Sequence, residues 1–365
     1  MKRWISCIFI TVLVFGLIGN GKINVYAKES EEINYFAYNQ LSEEEQVIYQ
    51  EIYQTLITVK ESVQISTSSR EVIDKVFQCV KNDHPEIFYD KGYEVVHYVT
   101  QNKIEKTVFK PTYKMNKSTI RQNRKAIGQY VKKCLEGIPQ DAGEYEKILY
   151  FYEYIIKNTE YSSDIANGQS ICSVMIDGRT VCQGYTKAFQ YLCQKSGIDA
   201  TMVTGYANGM SHAWNLVYAE GKPYYVDLTW GDASYITTED NDYSGTIPPI
   251  NYDYFMVTTD MLSQTHELDN VVEVPKCVNM EQNYFVKEDL FFINYDENKL
   301  RQIFTDAVES GENYVTIKCN GTTVFRMMKE HLIEKQEIFL LIPGGSTSVV
   351  FAENSLQYTL SFMLE

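Results

Sequence analysis

Thr180-Val181-Cys182-Gln183-Gly184-Tyr185 opens a stretch in which Ala188, Phe189, Leu192 and Cys193 recur at helical spacing until Gly197 stops it. This predicts an amphipathic helix with a cysteine at its N-terminus. Three apolar, β-branched runs follow at Ala200–Tyr206, Ala213–Tyr218 and Tyr224–Leu228, and Glu220-Gly221-Lys222 joins the last two as a hairpin turn. A helix followed at once by antiparallel strands reads as an α+β core. Upstream, Glu144 to Asn158 carries Ile148, Leu149, Tyr152 and Ile155-Ile156 on a second amphipathic helix. Between the two helices, Ile165 to Arg179 has no periodicity and reads as a loop. Asp232 to Pro249, rich in Thr, Asp and Gly, reads as a surface loop.

The chemistry lies in the same stretch. His212 starts a strand in Ser211-His212-Ala213-Trp214-Asn215, and Asp227 ends the partner strand. These are the parts of a thiol acyl-transfer site. A helix N-terminus offers partial positive charge and free N–H groups to a sulfur that must carry negative charge. An imidazole within hydrogen-bond reach moves the proton, and a carboxylate behind it fixes its tautomer. Directly opposed residues on antiparallel strands lie about 5 Å apart, so His212 and Asp227 are expected side by side on one face. Any one cysteine is usually a small buried hydrophobe. It is the order Cys182, His212, Asp227 that singles these three out.

Thr180-Val181-Cys182-Gln183-Gly184-Tyr185, Ser211-His212-Ala213-Trp214-Asn215 and Tyr225-Val226-Asp227-Leu228-Thr229-Trp230 resemble, in order and spacing, the three motifs of the bacterial transglutaminase-like superfamily. The close match covers about residues 144–235. Looser similarity to exported bacterial members runs through His84-Pro85-Glu86-Ile87-Phe88-Tyr89 and Tyr252 to His266. The resemblance implies a papain-like α+β core, with Cys182 as nucleophile, His212 as general base and acid, and Asp227 as orienter. Gln183 is a candidate oxyanion donor, although a helix-surface role fits it equally and the Cys182 backbone N–H is the safer donor. Trp214 and Trp230 are candidate substrate contacts or packing residues. His266, beside Glu267, is expected in a loop with a structural role. The chemistry requires no metal and no organic cofactor.

Outward from this core, Ser42-Glu43-Glu44-Glu45 is a capping box, and Val47, Ile48, Ile52, Leu56 and Val59 follow on a helix. Ser69 begins another helix, Tyr93 to Tyr113 reads as a hairpin, and Ser118 to Leu135 reads as a basic helix. Lys28 to Asn39 is polar and is expected to be a loose leader. Beyond Pro275 strand and helix signals alternate. The expected organisation is a signal peptide over 1–27, an N-terminal α+β region over 28–139, a catalytic core over 140–270 and a small C-terminal α+β domain over 275–365.

The N-terminus reads as an address. Lys2 and Arg3 precede the apolar run Ile5 to Ile18, and Val25-Tyr26-Ala27 suits cleavage after Ala27. The run is shorter than the roughly 20 residues of a membrane span. The expected mature protein is therefore secreted or held at the cell surface, without stable membrane insertion. Seven cysteines remain beyond Cys7, an odd and scattered set without a CxxC pair, which implies at least one free thiol and no structural zinc site.

The 365 residues are 44% hydrophobic and 22% charged, enough apolar material for a packed core. With 33 Lys+Arg against 48 Asp+Glu, the net charge of −15 repels a phosphate backbone and excludes nucleic acid as a natural partner. The expected partner is a protein or peptide substrate, with cell-wall peptide among the candidates. The leading expectation is transglutaminase-type crosslinking or deamidation. A cysteine peptidase or cell-wall peptide amidase on the same triad, and a non-catalytic cell-envelope binding module, are the alternatives.

Overall fold

The computed structural model describes residues 35–165, 167–233, 248–269, 272–344 and 348–364. Residues 1–27, expected as a signal peptide, and most of 232–249, expected as a surface loop, lie outside them. The capping box is present: the Glu45 N–H donates to Ser42 Oγ and the Glu45 carboxylate accepts the Ser42 N–H. It starts α1, Glu43–Ile57. After β1, Val63–Ile65, the Ser69 hydroxyl caps α2, Arg70–Asp83. Strands β2, Asp90–Thr100, and β3, Lys103–Tyr113, form the expected hairpin. Its turn residues Gln101 and Asn102 both take positive φ, which matches the twist of the flanking strands. The stretch before α1 is not loose as far as it is described. The Ala37 and Tyr38 N–H groups each donate to the Asp83 carboxylate at 2.9 Å, and Ala37 is buried.

Helices α3, Lys117–Glu136, and α4, Glu144–Lys157, lead to β4, Glu160–Tyr161, which pairs in parallel with β5, Arg179–Thr180. The segment before β5, expected as a loop, holds a π-helical turn at Ser173–Asp177. Five residues at that wider winding carry no 3.6-residue stripe for a sequence reading to detect.

The core follows in the predicted order: α5, Cys182–Lys195; β6, Ala200–Ala207; β7, Met210–Ala219; β8, Lys222–Val226; and the short α6, Leu228–Gly231. Then come β9, Phe255–Val257; α7, Thr259–Leu262; and β10, His266–Leu268. The five strands form one antiparallel sheet in the order β10-β6-β7-β8-β9. Tyr185, Phe189 and Leu192 of α5 and Ile148, Phe151 and Ile155 of α4 are fully buried in one apolar cluster with Val217 and Tyr224 of the sheet. The architecture is α+β, with α5 laid across the sheet.

The remaining elements are α8, Tyr284–Lys287; β11, Phe291–Phe292; α9, Glu297–Ser310; β12, Tyr314–Cys319; α10, Thr322–Lys329, continued by a π-helical turn at Glu330–Glu334; α11, Ile338–Leu341; β13, Val350–Asn354; and β14, Thr359–Met363. They build a second sheet, β11-β12-β14-β13, around an apolar cluster of their own. A buried polar knot fastens this sheet to the core. Lys318 of β12 donates to the Gln357 carbonyl at 2.7 Å and faces Asp253 at 3.5 Å, while Asp253 accepts from Asn354 and Thr359. An ammonium this deep requires those partners, because an unpaired buried charge is strongly destabilising.

Candidate active site

Val181 is the N-cap of α5 and supplies no side-chain hydrogen bond, whereas Ser42, Ser69 and Asn116 cap α1, α2 and α3 with theirs. The first turn of α5 therefore begins without a capping side chain, and Cys182 is its first residue. What holds that turn is the preceding loop. The Gly168 carbonyl accepts from Thr180 Oγ1 at 2.8 Å, Ser173 Oγ at 3.1 Å and the Val181 N–H at 3.4 Å. Gly184 packs against this knot so closely that a Cβ there would stand 1.9 Å from Thr180 Oγ1 and 2.6 Å from the Gly168 oxygen. The glycine of the cysteine motif is a close-approach residue.

The helix is fixed to the histidine strand by two side chains. Thr186 Oγ1 donates to the Ala213 carbonyl at 3.0 Å, and Asn215 Nδ2 donates to the Thr186 carbonyl at 3.1 Å. One turn of α5 is thereby held against β7, and the Cys182 sulfur comes close enough to His212 to favour its charged form. His212 Nε2 lies 2.8 Å from Asp227 Oδ2, which leaves Nδ1 for the sulfur. The structure thus brings together the three residues picked from the motifs.

Their relative placement differs from the expected one. In the β7–β8 register Asn215 faces Val226, so Asp227 lies beyond the end of β8 and not opposite His212. Asp227 is instead the N-cap of α6: its Oδ1 accepts the Thr229 N–H at 2.9 Å and the Trp230 N–H at 3.2 Å. The cap turns Oδ2 towards the imidazole.

A second imidazole shares that oxygen. His266, expected in a loop, lies on β10, with Nε2 at 3.1 Å from Asp227 Oδ2 and Nδ1 at 2.8 Å from Thr265 Oγ1. The β10–β6 pairing sets His266 beside Ala207, and the β6–β7 pairing sets Gly205 beside His212, so both imidazoles reach the carboxylate from one sheet. Asp227 accepts four hydrogen bonds through its two oxygens. Burial alone would raise its pKa, but the two imidazoles hold its carboxyl well below the usual carboxylate range. For His212, burial works against the charged form. Asp227 and the Cys182 sulfur outweigh it and push the imidazole up to about 10.

Trp214, a candidate substrate contact, is fully buried, with its ring 5.9 Å from the His212 ring and 4.9 Å from the His266 ring. It is a wall behind the imidazoles, because its strand position faces the apolar cluster of Val203, Leu216 and Tyr225. Trp230 is partly exposed and lies 4.9 Å from His266. Gln183 is partly exposed on α5, with its Oε1 accepting from Lys187 at 3.4 Å.

All seven described cysteines are free, and Cys182 alone among them is not buried. Burial pushes Cys79 and Cys172 up to about 11, and Cys134, Cys277 and Cys319 up to about 12. Among the described residues, His212, Asp227 and His266 are the group whose donor atoms converge as metal ligands would. All three are buried, and their facing atoms are joined by hydrogen bonds.

His266 was expected to be structural but not to reach Asp227, and Thr186, Asn215 and the Gly168 knot were not singled out from the sequence. The available signal was scarcity for His266, one of five histidines in the chain. For the others there was none, since each acts through a carbonyl contact made in three dimensions.

Residues 129–229 match the Transglutaminase-like superfamily profile, a range that contains Cys182, His212 and Asp227. Kyphoscoliosis peptidase of Mus musculus is 24% identical over 217 residues, 54% of this chain and 32% of that protein. Kyphoscoliosis peptidase of Homo sapiens is 25% identical over 219 residues, with the same 54% and 32% coverage. The match thus spans about a third of the length of these relatives. Among solved structures, a crystal structure of a TGase has 17% sequence identity and a TM-score of 0.29, covering 43% of this chain and 47% of that one. Through residues 129–229, with the cysteine, histidine and aspartate motifs in order, the chain is similar to the transglutaminase-like superfamily.

Proposed function

We propose that the protein is a secreted or cell-surface cysteine enzyme that opens amide bonds of proteins or peptides by transglutaminase-type acyl transfer. The Cys182 sulfur attacks the amide carbonyl. His212 delivers its proton to the departing ammonia or amine as the carbon–nitrogen bond breaks, leaving a thioester. A lysine amine then attacks to form a crosslink, or water attacks to give the acid, with His212 taking the proton of the attacking group. Asp227 keeps Nε2 protonated and Nδ1 turned to the sulfur. Backbone N–H groups at the start of α5 face the developing oxyanion, an effect of about 10²–10³ in rate.

One observation carries the reading. The single described thiol that is not buried is the one whose sulfur acts on an imidazole held by a carboxylate. Extracytoplasmic placement rests on residues 1–27. No helix among the described residues is long and apolar enough to cross a membrane. Release of peptide fragments is the second outcome of the same acyl-enzyme, favoured by the peptidase name of the two curated relatives.

The test uses the mature protein, a glutamine-rich acceptor and a fluorescent primary amine, with iodoacetamide labelling mapped by mass spectrometry. Cys182 is expected to label first among the seven cysteines, and Cys182→Ala is expected to end both amine incorporation and fragmentation. Label without fragments means transamidation, and fragments without label mean proteolysis. A Cys182 no more reactive than Cys134 or Cys319 overturns the reading and leaves a binding module.

The charge state of His212 gives a pH signature. Turnover needs the imidazolium as acid and is expected to fall as pH rises through about 10, whereas alkylation of the sulfur does not fall there.

His266 is a positioning residue in this scheme, since it touches Asp227 and not the sulfur. His266→Phe removes one donor to a charged oxygen and is expected to slow Cys182 alkylation about tenfold. His266→Gln, which retains an N–H donor, is expected to recover most of that loss. Equal rates in both variants would reduce His266 to a packing residue.

A further inference from the structure

Beside Gln183, the residue after the proposed nucleophile, lies a polar cavity of about 90 Å³. Lys81, Lys114 and Lys187 line it together with a single carboxylate, Asp90. Asp90 pairs with Lys81 at 3.1 Å. Lys187 sits one helical turn after Gln183 and is partly buried. Its ammonium donates to the Gln169 carbonyl at 2.9 Å and to Gln183 Oε1 at 3.4 Å, and both acceptors are neutral. Burial and the neighbouring Lys81 and Lys114 push the Lys187 amine down to about 8, against the opposing pull of Asp90 and Cys182. Three cations with one carboxylate, in a chain of net charge −15, form a local excess of positive charge that the fold itself does not neutralise.

We propose that this cavity is a subsite for a carboxylate of the acyl donor, an acidic side chain or a terminal carboxylate near the attacked amide, held by Lys187 with Lys114. The inference rests on Cys182 as nucleophile and adds a substrate class to that reading. A carboxylate is the fitting anion because two ammonium groups and the Gln183 amide offer separate N–H donors to its two oxygens. Occupancy also gives the Lys187 charge the partner it lacks.

The test needs no knowledge of the natural substrate. Cys182 of the wild-type protein is alkylated by bromoacetyl-glycine, bromoacetyl-β-alanine and bromoacetyl-γ-aminobutyrate, each compared with its own methyl ester. At one tether length the acid is expected to react about tenfold faster than its ester, the worth of one charge-assisted hydrogen bond. His212 attracts any anion, but equally in all variants, so the acid-to-ester ratio isolates the cavity.

The advantage is expected to vanish in Lys187→Met, to persist in Lys187→Arg, and to shrink in Lys114→Met, where an exposed side chain is exchanged without touching the core. Acid and ester reacting alike at every length, or an advantage that survives both methionine variants, overturns the subsite. Failure of every reagent to prefer Cys182 over the buried thiols overturns the nucleophile as well, and so is distinct from failure of the subsite alone.

Discussion

Asp227→Asn is expected to slow turnover by about 10²–10⁴-fold while leaving Cys182 and the fold in place. The argument is one of donors and acceptors. Asp227 accepts two backbone N–H bonds on Oδ1 and two imidazole Nε2–H bonds on Oδ2. Asparagine has one accepting and one donating end. If its oxygen keeps the Thr229 and Trp230 N–H groups, its NH₂ faces the imidazoles, and His212 must carry its proton on Nδ1, where it cannot take the thiol proton. If the amide is flipped, two backbone N–H groups face an NH₂, at about 1–3 kcal/mol for each unsatisfied group. The first arrangement is inactive and the second unstable.

Amine incorporation against pH and denaturant unfolding separate the two outcomes. The raised His212 pKa contributes stability that is fully present below about 6.5 and lost as pH rises through about 10. The lowered Asp227 pKa contributes stability present above about 3.8 and lost on acidification through its folded value. The gap in stability between wild type and Asp227→Asn is therefore expected to be widest between about 3.8 and 6.5 and to narrow outside that window. Near-wild-type turnover in the variant would show that the carboxylate's charge and tautomer control are not used.

Gly184→Ala is expected to cost about 3 kcal/mol or more of stability, at or above the upper end for an overpacked site. The added methyl meets Thr180 Oγ1 at 1.9 Å and the Gly168 carbonyl oxygen at 2.6 Å. A hydroxyl can rotate away. The carbonyl is backbone, and it accepts three hydrogen bonds that hold the loop before α5. Relief requires moving the first turn of the helix, which carries Cys182. A displacement of about 1 Å there costs about 10²-fold in rate even if the protein folds. Denaturant unfolding reads the first effect, and the rate of Cys182 alkylation relative to wild type reads the second. Wild-type values for both would mean that the loop is free to yield.

Periodicity carried much of the fold. The capping box of α1, the hairpin β2–β3 and the run α5-β6-β7-β8 were legible because each is a local pattern: a cap with its partner three residues on, alternation across a strand, a 3.6-residue stripe down a helix. The π-helical turn at Ser173–Asp177 was not legible, because its winding has no stripe of that period. The same distinction divides the site. Cys182, His212 and Asp227 were readable because their chemistry is scarce and their motifs follow in order. Trp214 was readable as an aromatic beside the histidine, but burial makes it a wall and not a contact surface.

By itself, then, the sequence determined the α+β core and the three chemical groups, since helix and strand periods and side-chain chemistry are local properties. Tertiary structure alone decided that Asp227 serves from a helix cap and not from a strand, that His266 reaches the same oxygen, and that three lysines meet beside Gln183. Each of these depends on strand register and on carbonyl contacts between segments far apart in the chain, and so exists only once the sheet has assembled.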